Sequence, residues 1–214
     1  MSCLGKDHEL SEKAVALTFD DGPAEWTSPI LDILHKAEVV ATFFVIGQEI
    51  GGREAILERT AAEGHEIGNH TQTHQALNLT ADEIEREIVL ASDEIRSVLG
   101  VPPKLFRAPG FGVGGDVCLV AGKCGFTWAI NASATTADYD MDDPDEIANN
   151  ILSQVRPGGI IDLHDGKPSN EPPPGDPQRT REDRWPTVEA VRRIVPRLNA
   201  CGYRFVTVSE LLAL

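Results

Sequence analysis

Two histidines four residues apart, His70 and His74 in HTQTH, and two adjacent acids, Asp20 and Asp21, ahead of Gly22-Pro23, have the types and spacing to do chemistry. Imidazoles at that separation reach one metal ion from a helical turn or a tight loop, and a third ligand is needed to complete the site. The acidic pair has two readings. It is either a turn with a helix cap, or a division of labour in which one carboxylate binds a metal and the other acts as base. A His-His-Asp set with an open coordination position is the arrangement by which catalytic zinc lowers the pKa of a bound water and polarises a carbonyl. Serine-nucleophile chemistry has no comparable anchor, because there is no GxSxG. The glycines of GFGVGG (110–115) match neither the Walker nor the dinucleotide pattern, and read as a closely approaching loop.

These residues need a scaffold, and hydrophobic periodicity supplies alternating strands and helices. Strands are expected at 14–19, 39–46, 66–69, 105–108, 126–130, 159–163 and 204–208. Helices are expected from a Ser28 cap with Pro29 at the first position, near 53–63, through 80–99, and near 115–123, 144–155 and 187–200. Thr80 and Glu83 form a capping box ahead of Ile84, Ile88, Ala91, Ile95 and Leu99, and Asp143 with Glu146 gives a second start signal. Seven strands separated by helices point to a single α/β domain with a wound parallel sheet, closer to a barrel than to an open sheet. Asp20-Asp21, His70, Arg107 and His164-Asp165 all follow a strand, the edge where parallel α/β architectures assemble active sites. Residues 165–183, with five prolines and no apolar period, read as a loop that either rims this edge or is surface filler.

The 214 residues suffice for one domain with a sizeable core. A net charge of -15 excludes general nucleic-acid or anionic-membrane binding, because a polyphosphate would meet a repulsive field. Cys3, Cys118, Cys124 and Cys201 lack CxxC spacing, so neither a zinc knuckle nor a disulfide framework is expected. No apolar run approaches a membrane span, and the opening MSCLGKDHELSEK lacks a signal-peptide core. The expected location is cytoplasmic if the chain is complete, and secreted or cell-envelope if a signal segment was removed. The oligomeric state is not legible.

The segments LTFDDGP (17–23), ATFFVIG (41–47), GHEIGNHTQTH (64–74), RAPG (107–110) and IIDLHDG (160–166), in this order and spacing, closely resemble the polysaccharide deacetylase family, also known as the NodB homology or carbohydrate esterase 4 family. The resemblance spans 14–212, with 14–214 as the NodB-type domain and 1–13 as an N-terminal extension. It implies a distorted (β/α) barrel of about seven parallel strands and metal-dependent removal of N-acetyl groups from an amino-sugar carbohydrate of chitooligosaccharide or peptidoglycan type. It also implies a metal held by Asp21, His70 and His74, most often zinc and sometimes cobalt or nickel. Asp20 would be the base and His164 the acid, with Arg107 orienting Asp20 and Asp138 holding His164 protonated. The Gly110 backbone N–H would face the oxyanion, with Phe111 and Tyr139 as substrate contacts.

Three positions depart from the family's pattern. Gly110 stands where an aromatic residue usually follows RxP. TTADY (135–139) keeps the second Asp of DxxDW but not the first Asp or the Trp. Asp162 replaces a Leu expected to line the pocket for the acetyl methyl. Either a shifted backbone points Asp162 elsewhere, the reading favoured here, or the site takes something other than a plain acetyl group. The rival functions are a same-fold amidohydrolase acting on a cyclic imide or small acetylated metabolite, and a catalytically inactive carbohydrate-binding homologue.

Overall fold

The structure is a computed structural model that describes residues 13–170 and 183–213. Six parallel strands form one sheet in the order β3-β2-β1-β5-β4, with β6 also on β1. They are β1 (Ala14–Gly22), β2 (Thr42–Val45), β3 (Glu66–Asn69), β4 (Ala134–Thr135), β5 (Gly159–His164) and β6 (Arg204–Val206). The helices are α1 (Thr27–Ala37), α2 (Glu54–Ala62), α3 (Ala81–Leu99), α4 (Gly115–Lys123), α5 (Pro144–Gln154), α6 (Trp185–Ala200) and α7 (Val208–Leu212). No helix among the described residues is long and apolar enough to cross a membrane. Cys118, Cys124 and Cys201 are free, and none of the three is buried.

A strand's period of two sorts its side chains onto opposite faces. Val15, Leu17 and Phe19 of β1, Phe43 and Val45 of β2, and Ile161 and Leu163 of β5 pack with α1, α5 and α6 in the main core. The intervening residues face the other way. Ala16 and Phe44 join Leu105, Ile130 and Val208 in a small apolar cluster. Above them come Thr18, Asp20, Asp162 and His164. The register sets Thr18 opposite Asp162 and Asp20 opposite His164. The sheet therefore wraps an interior that is apolar at its base and polar at the carboxyl ends of its strands.

The structure corrects several boundaries. Segments 105–108 and 126–130 reduce to single bridges, Asn69 to Phe106 and Phe106 to Ala129, while the unexpected β4 adds a short pair on β5. Pro103 and Pro109 bracket the first segment and lack the N–H that a longer ladder needs. Helix α1 starts at Thr27 with Trp26 at its N-cap, not at Pro29 behind Ser28, because the Thr27 hydroxyl accepts from the Ala24 N–H and donates to Asp165. The last strand ends at Val206 because Thr207 forms a capping box with Glu210 and opens α7. Asp143 caps α5 through the Asp145 N–H, and the expected Thr80–Glu83 box opens α3.

Candidate active site

A bulge builds the acidic pair. The β1–β2 register shifts between Asp20 and Gly22, and Asp21 has φ +73°. The extra residue lets two consecutive side chains reach one side of the sheet, which regular alternation forbids. Among the described residues five non-glycines have positive φ, and four of them, Asp21, Thr71, His74 and Phe111, lie at this edge. Such conformations cost about 1–3 kcal/mol each and persist where surrounding contacts dictate them.

The turn after β3 carries the histidines. Asn69, fully buried, accepts from the Thr71 N–H and donates to the Ile88 carbonyl and the Ser92 hydroxyl of α3. Glu87 of α3 accepts from both the N–H and the hydroxyl of Thr73. Thus the long amphipathic helix fixes a tight loop, and His70 and His74 converge on Asp21 from it. His70 Nε2 is 3.5 Å and His74 Nε2 3.2 Å from Asp21 Oδ1. That oxygen is buried yet accepts no well-formed hydrogen bond. His70 Nδ1 lies 2.8 Å from the Arg107 carbonyl, which can only accept, so Nδ1 donates and Nε2 turns a lone pair inward. The ligand atoms of Asp21, His70 and His74 lie within 4.8 Å of one another. An orphaned carboxylate oxygen facing the Nε2 atoms of two imidazoles fits a three-ligand divalent metal site with an open position.

Arg107 is the interior cation. Its Nη1 lies 2.6 Å from Asp20 Oδ1, 2.9 Å from Asp162 Oδ1 and 2.8 Å from Thr18 Oγ1, and its Nε donates to the Ile130 carbonyl. The guanidinium stacks 4.1 Å from the Phe44 ring, with Phe111 at 5.5 Å on its other contact. Such a planar fork between rings is a role for Arg rather than Lys. The expectation of a displaced backbone at Asp162 is corrected here: β5 pairs with β1 residue by residue from Gly159 to His164. Period two therefore points Asp162 inward beside His164, and Arg107 is the cation that makes a carboxyl tolerable there. Burial, reinforced by the charge of Asp20 and opposed by Arg107 and His164, pushes the Asp162 carboxyl up to about 7.

On the far wall His164 Nδ1 lies 2.8 Å from Asp138 Oδ1. Asp138 Oδ2 accepts from the His164 N–H and the Thr187 hydroxyl. Burial disfavours the imidazolium, but Asp138, then Asp162 and Asp21, outweigh it and hold His164 well above its usual value. Burial likewise opposes ionisation of Asp21, yet the fields of His74, His70 and His164 keep it below the usual carboxylate range. Tyr139 stands edge-on to the His164 ring at 4.9 Å. Asp165 is buried behind the site, pushed up to about 7 by burial and held by Thr27.

Asp20, Asp21, His70, His74, Asp162 and His164 open on one cavity of about 640 Å³, to which Gly110, Phe111, Tyr139, Pro168 and Asn170 also contribute. The backbone at Gly110 takes φ +58°, a conformation that glycine adopts without strain. Of the proline-rich loop, residues 166–170 reach the rim, where Glu49 accepts from the Ser169 N–H and hydroxyl. Residues 171–182 of that loop lie outside the described residues. The sequence profile of the Polysaccharide deacetylase family matches residues 7–129. The chain belongs to this family. The chain is 36% identical to a chitooligosaccharide deacetylase of Bradyrhizobium sp. over 203 residues, 93% of this chain and 90% of that protein. It is 34% identical to a peptidoglycan-N-acetylglucosamine deacetylase of Bacillus cereus, over 94% of this chain and 89% of that one. Among solved structures, a family 4 acetyl xylan esterase from Clostridium thermocellum in complex with a cobalt ion superposes with a TM-score of 0.80 at 34% identity, covering 94% of this chain and 91% of that chain. The chain thus has the expected distorted barrel, with six strands among the described residues where about seven are expected.

The structure places eight of the ten expected site residues in the wall of this cavity, with Arg107 and Asp138 directly behind it. Asn69, Glu87, Thr187 and Glu49, which hold the surrounding loops, are not among the residues expected from the sequence. Only Asn69, inside the GNHTQTH segment, carried any sequence signal.

Proposed function

We propose that the protein is a metal-dependent hydrolase that removes N-acetyl groups from a chitooligosaccharide- or peptidoglycan-type amino sugar and releases acetate. The single observation that carries this is a His-His-Asp triad with an orphaned carboxylate oxygen, set between a base and an acid in one cavity. The domain responsible is 14–214, with 1–13 as an extension.

Asp21, His70 and His74 would hold a divalent metal, zinc first with cobalt or nickel as alternatives. When bound, the metal supplies Lewis-acid polarisation of a carbonyl and a lowered pKa for water. Asp20, kept in place by Arg107, takes the proton of the attacking water. The Gly110 N–H donates toward the developing oxyanion. An amine leaves poorly unless protonated, so His164 delivers its proton to the nitrogen as the C–N bond breaks. Asp138 positions that imidazole and favours its charged form. Phe111 and Tyr139 form the walls against which the sugar lies. Acetate and a free amine are the products.

The test is a substrate panel with the zinc- or cobalt-loaded protein. Acetate release from acetylated chitooligosaccharides supports the reading. Turnover confined to small acetylated metabolites or cyclic imides replaces it with the rival amidohydrolase reading, and sugar binding without turnover favours an inactive binding homologue.

A further inference from the structure

One buried titratable group in the cavity has no part in the steps above. Asp162 is 3% exposed, yet it lines the cavity together with His164, two residues on along β5. Its Oδ1 shares Arg107 Nη1 with Asp20 and Thr18. That nitrogen has two hydrogens for three oxygens, and Asp162 is the most distant of the three. Among the described residues nothing donates to Oδ2. Since that oxygen is not sealed off among the buried unpartnered atoms, it opens on the cavity.

We propose that Asp162 is a specificity-determining residue whose carboxyl selects an acyl group carrying a hydroxyl, so that N-glycolyl amino sugars are the substrate class this site fits best. This rests on the amide-hydrolysis reading and deepens it. Polar atoms of Asp20, Asp162 and His164 lie within 4.8 Å of one another. A carbonyl carbon placed between base and acid therefore has Asp162 against its substituent. A methyl group there takes water from Oδ2 and returns no hydrogen bond. A CH₂OH group donates its O–H to that oxygen. The carboxyl's position near pH 7 favours a hydroxyl over an ammonium, because a hydroxyl both donates to the ionised form and accepts from the protonated form, whereas an ammonium suits only the former.

Free amine liberated by the metal-loaded enzyme would be measured on N-acetyl and N-glycolyl chitooligosaccharides of equal length. The expected result is kcat/KM about tenfold higher for the glycolyl sugar, since sites with a hydrogen-bonding group discriminate against analogues lacking its partner. Asp162→Leu should remove or reverse that preference, and Asp162→Asn, which keeps an acceptor oxygen, should retain part of it. The ratio does not depend on the fraction of each variant that folds. A wild-type preference for acetyl, or an unchanged ratio in Asp162→Leu, overturns the proposal alone. Release of neither acyl group overturns the hydrolase reading with it.

Discussion

His164 Nδ1 lies 2.8 Å from Oδ1 of Asp138, and the same carboxylate takes the histidine's own backbone N–H through its other oxygen. One side chain thus sets both the position and the protonation of the imidazole. The histidine's pKa is raised, so a role as acid requires activity to hold through neutrality and to fall as pH passes above the raised value.

Asp138→Asn should move that alkaline limb to lower pH. Its amide group, set against Nδ1, also favours the wrong tautomer. Turnover should fall by about 10²–10⁴, the scale of general acid–base catalysis. Profiles of kcat against pH for wild type and variant check both expectations, and a limb that does not move removes Asp138 from this role.

Loading with zinc or cobalt should raise the unfolding temperature, because a ligand at 100 times its Kd stabilises by about 2.7 kcal/mol, or roughly 5–10 °C in a chain of this size. Asp20→Asn should keep the shift and lose turnover, since Asp20 stands outside the ligand triad. His74→Ala should lose both. Thermal melts with and without metal decide between these outcomes.

The interior of the barrel was legible wherever strand periodicity and contiguous motifs agree. Asp20, Asp162 and His164 share a face because each lies an even number of residues from an inward neighbour on its own strand. The two-residue offset from His164 aims Asp162 inward, but a carboxyl there is costly unless it is paired, and the sequence shows no partner beside it. Arg107, 55 positions away, is the missing partner, and no local pattern announces that pairing. Apolar content alone makes 105–108 and 126–130 read as strands; it does not reveal that Pro103 and Pro109 stop the first ladder, or that each segment pairs through single bridges only. Glu87 and Thr187 were illegible for the same reason as the Arg107 pairing: each is one polar residue on an ordinary helix, meaningful only through its contact.

Replacing Arg107 by Ala should cost about 3–5 kcal/mol, because Asp20 and Asp162 would remain buried without their cation. Arg107→Lys should recover only part of that loss, since one ammonium cannot reach Ile130, lie flat on Phe44 and serve both carboxyls. Urea unfolding of the three proteins measures this. Equal stability of the Ala and wild-type proteins would contradict the assignment.

Away from the site, His65 accepts from the Ala41 N–H and lies edge-on to Phe43. Burial, opposed by Glu63 and aided by Arg59, depresses it to about 4. The unfolded chain therefore takes up a proton near 6.5 that the folded chain refuses until about 4. His65 contributes stability that is present above pH 6.5 and is lost as pH falls toward 4. Urea midpoints across that window should decline, and His65→Gln should make this decline shallower.

The most direct measurement of the central claim is acetate released from an acetylated chitooligosaccharide by the metal-loaded protein and by its His70→Ala variant. The account predicts steady release by the wild type and loss of nearly all of it in the variant, whose triad lacks one ligand. No acetate from the wild type, or a variant indistinguishable from it, would contradict the account.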